Sequence, residues 1–145
     1  MNLTEFLKRI NFKPYASVVN SWDSFNQTGS VLMQLWLEPG QRIQDHAIAG
    51  AYLRVCCWNA KSRATHGQNQ TVGYKGRQKA IEAIEAGARG YAALSTAPQG
   101  QHGPGVWARY CNLERVYPIL AIERATESED IFAILGAPIS IELIE

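Results

Sequence analysis

The sequence has 145 residues, of which 46% are hydrophobic and 19% are charged, and its formal net charge is +1. A chain of this length buries roughly 70% of the surface that its unfolded form exposes, so a hydrophobic core can form without disulfides or metals. The composition excludes an intrinsically disordered chain, because such chains combine low hydrophobicity with high charge. We therefore expect a single domain over residues 1–145.

Three elements are predicted before the first long apolar run. Hydrophobic residues at positions 3, 6, 7 and 10 have the spacing of an amphipathic helix, so residues 3–10 are predicted to be helical. The β-branched and aromatic residues of segment 15–22 predict a strand. Segment 23–30, DSFNQTGS, is rich in turn-forming residues and predicts a loop.

Two apolar strands are predicted next. Segment 30–38, SVLMQLWLE, is apolar on both faces apart from Gln34, which indicates a strand in the centre of its sheet. Segment 51–60 is a second strand with Arg54 as the charge inside it. A charge in such a strand must contact solvent, a partner or a ligand.

The best helix prediction in the chain covers residues 74–86. Gly87 follows it at the position where a left-handed C-terminal cap is expected. A strand of small residues is predicted over 90–97, and the glycines and prolines of segment 98–105 predict a loop.

The last third of the chain is predicted to contain an extended piece after residue 105 and a strong strand over residues 116–122. A short helix is predicted over residues 128–136, capped by a serine and ended by a glycine, and an alternating strand over residues 138–145. Helices and strands do not alternate regularly. The order therefore favours an α+β fold with a mixed, largely antiparallel sheet, curled into a partial barrel, and two or three helices.

The sequence shows no pattern typical of a secretory signal or of a membrane-spanning segment. Glu5, Lys8 and Arg9 interrupt the apolar residues of the first segment, so it lacks the apolar core of a secretory signal. No segment approaches the roughly 20 apolar residues that span a bilayer. We expect a cytoplasmic protein without membrane contact, whose three cysteines are reduced and mostly buried.

Patterns for metal, phosphate and nuclease chemistry are not found. His46, His66 and His102 have no ligand at zinc-site spacing, no phosphate-binding loop precedes a helix, and no Glu-x-Lys occurs. We therefore predict no catalytic residue, no metal and no cofactor, and interpret the chain as more consistent with binding than with catalysis. A cysteine nucleophile, Cys56 or Cys111, stays open as an alternative.

The charges are unevenly distributed along the chain. Residues 42–89 contain eight basic and three acidic side chains, whereas residues 110–145 contain two basic and seven acidic ones. The four tryptophans lie within this basic middle, as Trp58 does, or beside it in the sequence. An indole beside a cation supplies a stacking surface and a phosphate contact, which are the two ingredients of single-strand or single-base recognition. The predicted nucleic-acid-binding residues are Ser21, Trp22, Trp36, Arg54, Trp58, Tyr74, Arg77 and Lys79.

Several short motifs resemble those of a small bacterial domain associated with HNH-type restriction nucleases. The first two motifs are Ser-Trp and an apolar residue followed by Trp at the end of a strand. The third is Gly-Tyr-x-x-Arg at the start of a helix that also carries isoleucines. The fourth is a glycine followed by a Tyr that enters a strand. These positions are Ser21, Trp22, Leu35, Trp36, Gly73, Tyr74, Arg77, Ile81, Ile84, Gly87 and Tyr91. This sequence has Asp23 where the motif has glycine, and it carries no nuclease domain.

The order of elements is also similar to that of PUA-like domains, including the EVE and ASCH groups, whose curled sheets bind RNA or modified DNA bases. The resemblance implies an aromatic cage of Trp22 with Trp36 or Trp58 for an extruded base, with Arg54, Arg77 and Lys79 on phosphates. It implies a non-catalytic nucleic-acid-binding module of bacterial defence or RNA metabolism. The alternative is a protein-interaction factor, such as an immunity, antidefence or regulatory subunit, that docks through its acidic C-terminal region. A small-molecule enzyme is a third possibility.

Overall fold

The structure is a computed structural model that describes residues 2–16, 21–37, 47–58, 72–96 and 104–144. Within these ranges the chain forms an α+β fold. The helices are α1 (Leu3–Ile10), α2 (Val72–Glu85) and α3 (Pro104–Arg109), followed near the C-terminus by a 3₁₀ turn (Ile141–Leu143). The strands are β1 (Lys13–Pro14), β2 (Asp23–Phe25), β3 (Val31–Trp36), β4 (Leu53–Trp58), β5 (Gly90–Ser95), β6 (Arg115–Arg124), β7 (Ile131–Leu135) and β8 (Ile139–Ser140).

The strands form one mixed sheet in the order β1-β2-β3-β5-β6-β7-β4, with β8 pairing to the start of β6. Neighbours are antiparallel except β3 and β5, which run parallel because α2 crosses over between β4 and β5. In the described residues no ladder joins β4 to β1, so the sheet is not closed. The prediction of an α+β fold with a mixed, mostly antiparallel sheet is confirmed.

The sheet has a hydrophobic cluster on each face. The first cluster lies under α2 and contains Val31, Met33, Leu35, Val55, Ile81 and Leu135 among others. The second lies under α1 and α3 and contains Phe6, Leu7, Leu32, Trp107 and Val116. Because successive residues of a strand face opposite sides, β3 contributes to both clusters. The predicted central position of β3 is confirmed by this burial and by its neighbours β2 and β5.

Local capping explains the two longer helices. The side chain of Asn2 accepts a hydrogen bond from the backbone N–H of Glu5 at 2.8 Å, and α1 ends at Asn11, which has a left-handed φ of 62°. The helix α2 ends before Gly87, whose φ is 108°, as predicted from the sequence. Both helices therefore occupy their predicted positions.

Other predictions were wrong or shifted. Residues 128–136 were predicted to be helical, but they contain β7, which is paired on both sides by β6 and β4. The predicted strand 138–145 is the two-residue β8 followed by the 3₁₀ turn, and the predicted extended piece after residue 105 is α3. A strand also lies inside the predicted loop 23–30, at β2. Within the described residues, no helix is long and apolar enough to cross a membrane.

Candidate nucleic-acid interface

Three aromatic side chains meet between β2, β4 and α2. The ring of Tyr74 contacts Trp22 at a centroid distance of 4.7 Å and Trp58 at 5.3 Å, and both contacts are edge-to-face. Tyr74 is buried, with 4% of its surface exposed, whereas both indoles are partly exposed. We call these three residues the aromatic cluster. Edge-to-face pairs of this kind contribute about 0.5–1.5 kcal/mol beyond simple burial.

Each aromatic residue is placed by the end of an element. Trp22 immediately precedes β2, Trp58 is the last residue of β4, and Tyr74 lies in the first turn of α2. Side chains at such ends can extend beyond the sheet, because the next residues leave the ladder. The cluster therefore combines residues that are far apart in sequence, with one buried ring between two indoles that reach solvent.

The guanidinium of Arg77 lies below the cluster and is 5% exposed. Its Nε donates to both carboxylate oxygens of Asp23, at 2.8 and 3.0 Å. Nη1 donates to the backbone carbonyl of Cys57 at 2.6 Å, and Nη2 to those of Gln34 at 2.9 Å and Trp22 at 3.5 Å. We call Arg77 and Asp23 the buried pair.

The spacing of residues in α2 and the strand pairing of β2 explain why Arg77 and Asp23 are buried. Tyr74, Arg77, Ile81 and Ile84 are three or four residues apart, so they share the face of α2 that packs on the sheet. In β2, Asp23 pairs with Met33, which belongs to the cluster under α2, so the carboxylate points toward the helix. The two opposite charges therefore meet inside the protein.

Burial dominates the electrostatics of the pair. Full burial raises the pKa of the Asp23 carboxyl, and the charge and hydrogen bonds of Arg77 oppose this rise. Removing one partner of such a pair typically costs about 3–5 kcal/mol, because the other charge stays buried alone. The many acceptors around Arg77 match the five N–H donors of a guanidinium fork.

The structure requires a correction for Arg77. A phosphate-binding role was predicted for it, but a guanidinium that is buried and bonded to one carboxylate and three carbonyls does not reach a phosphate at the surface. Arg77 instead contacts the underside of the cluster, with its Cζ 5.8 Å from the Trp22 ring centroid.

The remaining predicted residues differ in their relation to the cluster. Arg54 bonds Glu123 at 2.7 Å and stacks on Phe132, and it lies four residues before Trp58, about 13 Å along the strand. Trp36 is 36% exposed at the end of β3 and takes no part in the ring contacts that define the cluster. The buried hydroxyl of Ser21 accepts a hydrogen bond from the backbone of Ala16 at 2.8 Å, so it fixes the chain before Trp22.

The basic and acidic side chains of α2 lie in different parts of the helix. Its N-terminal half carries the exposed Lys75 and Lys79, one turn apart and close to Tyr74 in sequence. Its C-terminal half carries Glu82 and Glu85. The positive end of the helix dipole adds to the potential of Lys75, which lies in the first turn.

An open groove of about 520 Å³ lies between α2 and the turn that joins β6 to β7. Trp58 lines it, together with the carboxylates of Glu82, Glu129 and Asp130, so we call it the acidic groove. Arg124 also lines the groove, and its charge is paired with Glu85 at 2.7 Å. The indole of Trp58 thus belongs both to the aromatic cluster and to the lining of the acidic groove.

Other candidate chemistry finds no support among the described residues. They contain no group of three or more histidine, cysteine or acidic side chains that could hold a metal ion. His46, His66 and His102 lie outside the described residues. Burial raises the pKa of Cys57 and of Cys111 to about 12, which is the opposite of what a nucleophilic thiol needs.

Sequence reasoning missed Asp23, which it assigned to a turn. The available signal was the spacing of Arg77 with Tyr74, Ile81 and Ile84, which places a charge on the buried face of α2 and demands an acidic partner. The sequence alone does not identify that partner. Comparisons with protein-family models, curated protein sequences and solved structures found no match to this chain.

Proposed function

We propose that this domain binds single-stranded nucleic acid or an extruded base, without catalysis, through the aromatic cluster. The observation that carries the proposal is the pair of partly exposed indoles, Trp22 and Trp58, that both pack edge-to-face with one buried tyrosine. The resemblance of the sequence to PUA-like modules supports the same class of ligand and suggests a role in bacterial defence or RNA metabolism.

Stacking supplies the first part of the binding energy. A base stacked on an aromatic side chain contributes about 1–3 kcal/mol, and any base can stack because each has a π-face. The contacts with Tyr74 fix the two indoles before binding, so less side-chain freedom is lost when a base stacks. Two stacked bases contribute about 2–6 kcal/mol, which is less than the roughly 8 kcal/mol of micromolar binding, so phosphate contacts must add to the cluster.

The charges beside the cluster favour a single strand over a duplex. Lys75 and Lys79 offer phosphate contacts on the N-terminal half of α2, whereas Glu82, Glu129 and Asp130 line the groove on which Trp58 borders. One phosphate backbone can follow the lysines. The second backbone of a duplex meets the carboxylates, which repel it over about 10 Å at 0.1 M salt.

The test is a titration of labelled 12-nucleotide DNA and RNA followed by fluorescence anisotropy at 20, 50 and 200 mM NaCl. Trp22→Ala and Trp58→Ala are each expected to weaken binding by about 5- to 150-fold, the equivalent of one stacked base. Lys79→Ala is expected to reduce the slope of log K against log[salt] by about 0.7, the value for one phosphate contact on a single strand.

The chain provides matched controls. Tyr110→Ala removes an aromatic ring that is 38% exposed and lies outside the cluster, and Lys8→Ala removes an exposed lysine from α1. Neither is expected to change binding. Absence of binding at 20 mM NaCl would refute the proposal, and so would an equal loss of affinity for Tyr110→Ala and Trp22→Ala.

A protein-interaction role is the second candidate, and the acidic groove is the observation that favours it. A groove lined by carboxylates and an indole is suited to a lysine or arginine side chain of a partner. Capture of a partner by the purified protein, abolished by Glu129→Gln/Asp130→Asn and unaffected by Trp22→Ala, would favour this candidate over nucleic-acid binding.

A further inference from the structure

We propose that Arg77 is the positioning residue of the aromatic cluster: its guanidinium, anchored on Asp23, holds the backbone that carries both exposed indoles. The consequence for binding rests on the proposed function. The consequence for the position of the indoles does not, and it can be measured on the protein without a ligand.

The contacts of Arg77 fall on the indole residues or next to them. Nη1 bonds the carbonyl of Cys57, which immediately precedes Trp58, at 2.6 Å. Nη2 bonds the carbonyl of Trp22 itself at 3.5 Å, and Nε bonds Asp23, the residue after Trp22, at 2.8 Å. The backbone of each indole therefore lies within one residue of a bond to the same guanidinium.

The sheet does not provide this connection. Trp58 ends β4, which pairs with β7, whereas Trp22 precedes β2, which pairs with β1 and β3. In the described strands no ladder joins β4 to β2 or to β3. Arg77 spans the gap, because it bonds the carbonyl of Gln34 in β3 and that of Cys57 in β4. It also belongs to the same helix as Tyr74, so one element places the central ring and both indoles.

The chemistry of arginine fits this role. A guanidinium is a rigid, planar fork with five donors, and here it bonds acceptors on three different strand segments at once. A lysine ammonium could retain the charge interaction with Asp23 and lose the fork. Stability alone does not explain the pair, because apolar residues of similar volume often replace a buried ion pair without loss.

The first experiment compares Arg77→Lys with the wild type by NMR of the indole N–H groups. We expect the Trp22 and Trp58 signals to shift more than that of Trp107, whose indole N–H bonds the carbonyl of Leu35 at 3.0 Å and whose ring belongs to the cluster under α1 and α3. Trp22→Phe, Trp36→Phe and Trp58→Phe assign three of the four indole signals, and the fourth is that of Trp107. Binding of the 12-nucleotide probe is expected to weaken at least tenfold, with a cooperative thermal transition retained.

A stability control separates positioning from general loosening. Val116→Ala truncates a fully buried side chain in the cluster under α1 and α3, away from Arg77. It is expected to lower the urea concentration at the unfolding midpoint. The Trp22 and Trp58 signals are expected to keep their wild-type chemical shifts, and the affinity for the probe is expected to stay within twofold of the wild type. Unshifted Trp22 and Trp58 signals in Arg77→Lys contradict the inference, and so does an equal loss of affinity in Val116→Ala.

A second variant covers the case in which Arg77→Lys does not fold. Asp23→Val/Arg77→Met replaces both charges by apolar side chains, which removes the unpaired charge as a cause of unfolding. It is expected to fold, with the Trp22 and Trp58 signals shifted or broadened. If the wild type binds no probe, the proposed function fails, and the indole signals alone decide whether Arg77 positions the cluster.

Discussion

Two thiols of this domain, Cys57 and Cys111, have an environment that suppresses their chemistry. Burial raises the pKa of Cys57 and of Cys111 to about 12, so at pH 8 the thiolate is a very small fraction of each, whereas it is about a quarter of a free cysteine. Since the thiolate is the reactive form, both side chains serve packing.

This environment gives a prediction for thiol reactivity. In a Cys56→Ser variant, Cys57 and Cys111 are expected to react with a disulfide reagent at pH 8 at least about 100-fold more slowly than free cysteine, and at the normal rate in denaturing urea. The absorbance of the released thiolate measures both rates. A thiol in the folded variant that reacts as fast as free cysteine would contradict the burial described for these residues.

Single residues also show where sequence reasoning reaches its limit. Trp22, Trp58 and Tyr74 were predicted as site residues because aromatic side chains near basic residues are a compositional signal that one sequence contains. The partner of Arg77 was not identified, since Asp23 lies 54 residues away and local patterns carry no information about such pairing. The sequence shows that residue 77 is an arginine, but it does not show that the side chain is buried against Asp23. The predicted contact of Arg77 with phosphate was therefore wrong.

At the scale of elements, one surface ion pair joins α2 to the end of β6. Arg124 donates to both carboxylate oxygens of Glu85, at 2.7 and 2.9 Å, and this hydrogen bonding lowers the pKa of Glu85. A lowered carboxyl pKa contributes stability above the ordinary pKa of glutamate, which is lost as the pH falls through the folded-state value.

We expect Glu85→Gln to lower the free energy of unfolding by about 0.2–1 kcal/mol at pH 7, the range for exposed pairs. The difference from the wild type is expected to shrink as the pH falls below about 4.3. Urea unfolding at pH 7 and pH 3.5 measures both effects, with Glu82→Gln as a control on the same helix. A difference that stays constant between the two pH values would show that the ion pair is not its source.

Elements were predictable where the signal is local. Caps and periodicity were sufficient for α1 and α2, and the apolar run was sufficient for β3. The segment that contains β7 was predicted to be a helix because a serine and a glycine bracket it. Its residues 131–135 instead pair with β6 on one side and β4 on the other, and this long-range pairing overrides a short local pattern.

At the scale of the whole molecule, the basic middle and the acidic C-terminal part of the sequence meet at Trp58. Lys75 and Lys79 lie on the N-terminal half of α2, and Glu129 and Asp130 line the groove on which Trp58 borders. If a strand binds at the aromatic cluster, these carboxylates repel its phosphates within the screening length of about 10 Å at 0.1 M salt.

Neutralising these two carboxylates in Glu129→Gln/Asp130→Asn is therefore expected to strengthen oligonucleotide binding by a few-fold at 50 mM NaCl. The effect is expected to be smaller at 200 mM NaCl. Binding of a duplex is expected to gain more than binding of a single strand. Glu114→Gln/Glu142→Gln makes the same change in net charge near the 3₁₀ turn and serves as the control. An equal gain in both double variants would indicate a general charge effect with no dependence on position.

The pairing of β4 with β7 has a consequence for synthesis of the chain. Leu53 pairs with Leu135, and Trp58 with Ile131. At a translation rate of about 5–20 residues per second, β4 leaves the ribosome several seconds before the strand that completes its ladder. During that interval its apolar side chains have no sheet to join, and an unpaired apolar strand is a site for aggregation and for chaperone binding. The β6–β7 hairpin is local in sequence, and β4 can dock only once β7 has been made, which brings Trp58 to Tyr74.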